Sequence, residues 1–305
     1  MDYGEALAVR DHLLTRRRGW TLESVDEQPQ PRLTVGVHHR DDGTYGVAVR
    51  VQESSEQADA QIAEIVSEHG AENVDIRVTG AIRGLGLKDV NRPLIIGCSC
   101  AHRRVGTGTL GCVVKRDGRV FLLSNNHVFG RTNGAAVGDP IIQPSFDDHP
   151  DELLVVASYA ERVDLVSSGN NEVDAAIAEL DPTIAADRTT LVGFNASLRP
   201  PTGGPLPKSV HKIGRSTDLK DGTVSASALI PISVSIGGRS FDFINQIEIT
   251  SLGAPFSDDG DSGSVVFADD GTLIGLLFSG NGSTTSYANP IEVVFAKLGG
   301  LELAT

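Results

Sequence analysis

Three cysteines among 305 residues, Cys98, Cys100 and Cys112, leave no basis for a disulfide framework. Their number is odd, and the first two lie too close in sequence to bridge readily. A thiol-based metal site lacks a fourth ligand at usable spacing, because His102 stands only two residues from Cys100. The thiols therefore read as small buried hydrophobes, and the expected setting is the reducing cytoplasm. Basic charge is also short: 26 Lys and Arg face 40 Asp and Glu, a formal net charge of −14. That balance excludes nucleic acid and anionic membrane as main partners, since both call for a basic surface. No apolar run approaches membrane-spanning length. The opening "MDYGEALAVRDHLLTRRRGW" has no uninterrupted apolar core, so no secretory signal is expected. Aromatics are scarce at 5%, whereas 34 glycines supply the turns and close backbone approaches of a β-rich chain.

What is present divides into two parts. Ala6, Leu7, Val9, Leu13 and Leu14 predict a helix over 3–18, and Arg16, Arg17 and Arg18 before Gly19 suit its C-terminus. "RLTVGVHH" and "YGVAVRV" read as strands around the Asp-Gly turn of "RDDGT". A second helix is expected from Ser54 to His69, with a Ser cap and a stop before Gly70. "NVDIRVTG" is another strand. Residues 1–80 thus form a small α/β domain, suited to docking a regulatory protein partner, to acting as an inhibitory lid or to capping the rest structurally, and His38 and His39 are inert at a strand end. "GAIRGLGLKDVNRP" reads as a linker over 81–96. Over 97–305 short apolar runs alternate with Gly/Asp turns, which predicts a mainly β barrel or sandwich architecture. The Pro/Gly-rich 181–206 would cross between two β halves.

The chemistry is concentrated in three places. In "SDDGDSGSVVF", Ser262 stands on a tight turn just before a strand, where backbone N–H groups can face a nucleophilic hydroxyl. Two other motif readings fail on context. Gly106, Gly108 and Gly111 fit a dinucleotide fingerprint but lead into a strand rather than a helix. "GDSGS" has Ser264 where a hydrolase elbow needs glycine. In "VFLLSNNHVFG", His127 follows an apolar strand and can project into a cleft as a general base. In "NNEVDAAIAEL", Asp174 enters an apolar strand, where a carboxylate is costly unless an imidazole N–H or similar donor satisfies it. Asp164 in "ERVDLVSS" is its rival. His211 is read as a strand residue, and Asp147, Asp148 and His149 as a solvated loop rather than a metal site. The order is His127, Asp174, Ser262, at separations of 47 and 88 residues.

These residues, with "GTLGCVV", "GRVFLLSNNHV", "VGDPIIQPS", "VDAAIA" and "VHKIGRST", resemble the chymotrypsin-like (trypsin-fold) serine peptidases over about residues 97–296. The likeness is to a disulfide-free bacterial branch akin to the plant narrow-leaf trypsin-like proteins. It implies two six-stranded antiparallel β-barrels, about 97–185 and 207–296, behind the α/β domain. It also implies a serine endopeptidase without cofactor or metal, acting on protein or peptide substrates. Ser262 would be the nucleophile, His127 the general acid/base and Asp174 the orienting carboxylate. Gly260 and Ser262 would supply the oxyanion-hole N–H groups. Phe278, Ser279 and Gly280 would line the substrate pocket, with Phe256 at its base. "LIIGCS" resembles the new N-terminus that trypsin-like zymogens expose, whose amine would pair with Asp261; the alternative is that Ile95 and Ile96 simply begin the first barrel. A catalytically dormant interaction protein of the same fold, and an esterase, are the competing functions.

Overall fold

The computed structural model describes residues 1–20, 33–51, 55–79, 86–251 and 253–304. They form two units, 1–84 and 85–305. In the first, helix α1 (Tyr3–Trp20) precedes β1 (Leu33–His39) and β2 (Tyr45–Val51), then α2 (Glu56–His69) and β3 (Val74–Val78). The sheet order is β1-β2-β3, with β1 and β2 antiparallel and β2 and β3 parallel across α2. Leu13 of α1 and Ala58 and Ile65 of α2 bury their apolar stripes against Val47, Val49 and Val51. The α2 cap is Ser55, whose Oγ accepts from the Ala58 N–H at 3.1 Å; Ser54 lies outside the described residues, as do the side chains of Leu14 and the Arg16–Arg18 cluster. His39 packs edge-on against Tyr3 and Tyr45, a structural role.

The expected linker is corrected from Gly86 onward; residues 81–85 lie outside the described residues. Leu87 and Ile96 are buried in the core of the second unit, Leu94 bridges to Ala186, and the Asn91 N–H donates to Gln143 Oε1 at 3.1 Å. The chain is therefore already inside that unit before residue 97.

The second unit is built from β4 (Ala101–His102), β5 (Cys112–Arg116), β6 (Arg119–Ser124), the turn of helix α3 (Asn126–Phe129), β7 (Pro140–Ile142), β8 (Val155–Arg162), β9 (Asn170–Asn171) and β10 (Ala176–Leu180). Its later half has β11 (Ser209–Gly214), β12 (Asp218–Leu229), the hairpin β13 (Ile232–Ile236) and β14 (Arg239–Phe243), and β15 (Gln246–Thr250). It ends with β16 (Val265–Phe267), β17 (Leu273–Gly280), β18 (Thr285–Pro290), α4 (Ile291–Lys297) and β19 (Glu302–Leu303). Strands β11-β12-β15-β18-β17-β16 close into a six-stranded antiparallel barrel. The earlier strands form a seven-stranded antiparallel sheet, β19-β5-β6-β10-β8-β7-β4. Its seventh member is β19 at the end of the chain, which pairs with β5. One apolar cluster joins the halves: Phe121 and Leu123 of β6 pack with Ile213, Val265, Phe267 and Leu276 of the barrel. The candidate residues sit around this seam.

Cys98, Cys100 and Cys112 are free and buried, and desolvation pushes the Cys98 and Cys112 thiols up to about 12. His102 is a buried structural histidine: its Nδ1 accepts from the Arg104 N–H at 3.0 Å, which leaves Nε2 to donate to Asp139 Oδ2 at 3.2 Å. His211 lies on β11 as expected, its two ring nitrogens each 2.7 Å from a carboxylate, Asp221 and Asp269. Asp148 is not on a solvated loop. Its side chain is 6% exposed and ion-paired with Arg215. No cluster of metal-ligating side chains occurs among the described residues, and no described helix is long and apolar enough to cross a membrane.

Candidate active site

Strand β6 runs apolar to Leu123 and ends in Ser124, where three polar residues turn the chain. Asn125 Nδ2 donates to the Asp174 carbonyl at 2.8 Å, and Asn126 Nδ2 to the Val163 carbonyl at 2.8 Å. These bonds lock the short α3 turn and aim His127 outward, 17% exposed. Asp174 Oδ1 accepts from the His127 backbone N–H at 3.1 Å, and its Oδ2 lies 2.5 Å from His127 Nδ1. An acceptor-only carboxylate there fixes the proton on Nδ1 and leaves Nε2 as the bare, basic nitrogen. Asp174 itself is fully buried. Asp164, the rival, is 69% exposed and paired with Arg162.

A polar chain that sequence reasoning missed holds Asp174 from behind. Its backbone N–H donates to Asn289 Oδ1 at 3.0 Å, Asn289 Nδ2 to Gln246 Oε1 at 2.6 Å, and Gln246 Nε2 to the Glu172 carbonyl at 2.8 Å. Asn289 and Gln246 are fully buried on barrel strands. The available signal was an amide side chain inside each of two apolar runs, "FINQIEI" and "YANPIEVVF".

The serine turn is shaped by two glycines with left-handed backbones, Gly260 at φ +95° and Gly263 at φ +98°. A Cβ on Gly263 would lie 2.2 Å from Ser124 Oγ and 2.3 Å from the Thr109 carbonyl, so neither space nor backbone admits a side chain. Thr109 clamps the turn from the other half of the unit. Its Oγ1 donates to the Gly260 carbonyl at 2.7 Å and its N–H to the Ser262 carbonyl at 3.0 Å. With both carbonyls held, the N–H groups of Gly260 and Ser262 have no protein partner among the described residues. Ser262 Oγ likewise makes no hydrogen bond among them, to His127 or to any other side chain; His127 and Ser262 line one cavity of about 250 Å³.

Asp261 lies at the hinge of this turn, buried with its carboxylate fully engaged. It accepts from the N–H groups of Ser216 (2.8 Å), Thr217 (3.2 Å) and Asp258 (3.0 Å) and from Thr217 Oγ1 (2.7 Å). Its countercharge is Lys212 Nζ at 2.9 Å, also with no exposed side-chain surface. Burial works to lower the Lys212 pKa and the Asp261 carboxylate to raise it, with burial prevailing. Lys212 thus stands at Asp261 where a freed Ile95 amine would have to pair, which favours the alternative reading of Ile95 and Ile96. Ile95 and Ile96 instead continue the chain into the first half of the unit.

Around the cavity, Phe278, Ser279 and Gly280 of β17 form one wall. Phe256 does not form its base: it is 1% exposed inside the barrel, packed with Ile247, Ile249 and Leu277. The neighbouring Ser257 lines the cavity, its Oγ 2.7 Å from Ser286 Oγ. The opposite wall is the β13–β14 hairpin, through Val234, Ser235 and Ile236, anchored by Phe243 against Phe278 with ring centroids 4.6 Å apart. The position of this hairpin over the cavity was not legible in the sequence.

No family model and no curated protein sequence matches this chain. Solved structures do. An alpha-lytic protease homologue, N4, is 18% identical over 69% of this chain and all of its own, with a TM-score of 0.50. A glutamic acid-specific serine protease described as using a histidine triad in substrate binding is 16% identical over 69% of this chain and all of its own, also at 0.50. Protease A of Thermobifida fusca is 15% identical over 70% of this chain and 99% of its own, at 0.49. The second unit thus has the chymotrypsin-like double-barrel fold of bacterial serine proteases.

Proposed function

We propose that this chain is a serine endopeptidase that hydrolyses peptide bonds through Ser262, His127 and Asp174. The observation that carries the reading is one cavity holding a serine hydroxyl on a glycine-shaped turn and an imidazole whose Nδ1 is held 2.5 Å from a buried carboxylate. In this reading the Ser262 hydroxyl attacks the scissile carbonyl while His127 Nε2 takes its proton. Asp174 keeps the imidazole in the useful tautomer and stabilises the imidazolium that forms. The carbonyl oxygen, now negative, is received by the Gly260 and Ser262 N–H groups, each such donor being worth about 3–4 kcal/mol in the transition state. His127 returns the proton to the leaving amine, and water releases the acyl-enzyme by the same steps in reverse roles. Phe278, Ser279 and Gly280 would hold an extended protein or peptide segment, with Ser257 at the base of the side-chain pocket.

A fluorophosphonate probe tests this directly. Wild type labels covalently, and Ser262→Ala abolishes the label. An unlabelled wild type would mean a dormant interaction protein, while turnover of small acyl esters with no cleavage of any protein would mean an esterase.

A further inference from the structure

Strand β3 ends the first unit's sheet: it pairs with β2 on one side and with no described strand on the other. Natural edge strands are commonly blunted by Pro, by charged side chains, Lys above all, or by a bulge; the two charges of β3, Asp75 and Arg77, are of opposite sign. The β3 sequence, Val74-Asp75-Ile76-Arg77-Val78, has no Pro or Lys, and its five-residue register with β2 is unbroken. Ile76 is 43% and Val78 64% exposed.

The backbone direction of this edge follows from one bond. The Thr79 N–H donates to the Val51 carbonyl of β2 at 2.8 Å. Main-chain groups alternate sides along a strand, so those of Asp75 and Arg77 also face β2, and those of Val74, Ile76 and Val78 face the open edge. The same three residues carry the apolar side chains.

We propose that two copies of this chain associate by pairing β3 with β3, antiparallel about a two-fold axis at Ile76. The segment is complementary to itself in that register. Ile76 meets Ile76 of the partner subunit, Val74 meets Val78 of the partner subunit, and both are hydrogen-bonded pairs, giving six main-chain bonds. On the other face Asp75 stands opposite Arg77 of the partner subunit in the closer, non-hydrogen-bonded type of pair, where opposite charges attract. Arg77 is free to serve there: it is 62% exposed, and its contact with its own Asp75 is a 3.1 Å surface pair. A register shifted by one residue would set apolar side chains against charged ones. The product is a continuous six-stranded sheet, β1-β2-β3 followed by the partner's β3-β2-β1.

The test uses the full chain. Light scattering coupled to size exclusion should give wild type twice the mass of one chain, and Ile76→Lys, at an exposed site, should halve it with the circular dichroism spectrum unchanged. Under mild oxidation Ile76→Cys should form a covalent dimer, since the two Cα atoms stand about 5.5 Å apart in such a pair, within disulfide reach. Val78→Cys should not, because its two copies lie four residues apart along the strands, about 13 Å. The three native cysteines are buried and do not compete. The proposal fails if wild type has the mass of one chain across the concentrations the sample tolerates, whatever other protein β3 binds. It fails equally if Ile76→Lys stays dimeric or if Val78→Cys crosslinks as readily as Ile76→Cys.

Discussion

Replacing Lys212 by Met removes a buried cation while keeping a chain of similar length. The ammonium lies 2.9 Å from Asp261, and neither side chain has exposed surface, so the substitution strands a carboxylate in the protein interior. Breaking such a pair from one side typically costs about 3–5 kcal/mol. Four hydrogen-bond donors stay on the carboxylate, from Ser216, Thr217 and Asp258, which argues for the lower end, about 3 kcal/mol. The strain falls between Gly260 and Ser262, because Asp261 is the residue joining them. We therefore expect Lys212→Met to lower the urea-unfolding free energy by that amount. It should also slow fluorophosphonate labelling on the order of 100-fold if the same free energy is lost from the reactive turn. The double variant Lys212→Met with Asp261→Asn removes both charges and should recover most of the stability, a coupling that a double-mutant cycle measures. Two results would refute the reasoning: a single variant within 1 kcal/mol of wild type that labels at the normal rate, or a wild type that labels only after cleavage before Ile95.

Three further outcomes follow from other contacts. On the proposed function, Asp174→Asn would leave the geometry near His127 largely intact but deprive Nδ1 of its acceptor, lowering kcat for peptide cleavage by roughly 10⁴-fold. Phe256→Ala should cost about 3–5 kcal/mol of stability by emptying the barrel core while leaving cleavage-site preference unchanged; a switch in preference would return Phe256 to the pocket. Asp148 bears on acid stability. Burial raises its pKa, but hydrogen bonds from Arg215 and Ser99 outweigh this and hold the carboxyl below its ordinary value. A depressed folded-state value means stability that is complete above the ordinary carboxylate pKa and is lost as the pH falls through the folded one. Asp148→Asn should therefore be less stable at neutral pH and show a flatter acid limb in denaturation midpoints measured from pH 6 to pH 2.

The residues legible in the sequence were those whose chemistry disagrees with their immediate neighbours. Asp174 is a carboxylate entering Ala-Ala-Ile-Ala, His127 is a polar stop to an apolar strand, and Ser262 is a hydroxyl between two glycine-dependent bends. Each mismatch is local, so a single chain displays it. The alternation of short apolar runs likewise gave the β class of the second unit and the α/β class of the first, while element ends moved by a residue or two, as at Ser55. The seventh strand of the first sheet escaped notice because β19 is two residues long and pairs with β5 across most of the unit.

What stayed hidden depends on two distant segments making room for each other. Phe256 sits six residues before the serine, a count that suits a pocket base, yet Gly222 on β12 leaves a gap that its ring fills: a Cβ there would come within 2.8 Å of it. Neither residue announces the other across 34 positions. Lys212 went unremarked within "VHKIGRST", because its countercharge lies 49 positions later in the serine turn. The same pairing bears on the likeness of "LIIGCS" to an activation terminus. A buried Asp261 requires one cation, and whether that cation is a freed amine or a lysine is decided by which side chain β11 turns inward at the turn. The Lys212–Asp261 pair thus ties the shape of the turn between Gly260 and Ser262 to the barrel strand β11 that carries the lysine.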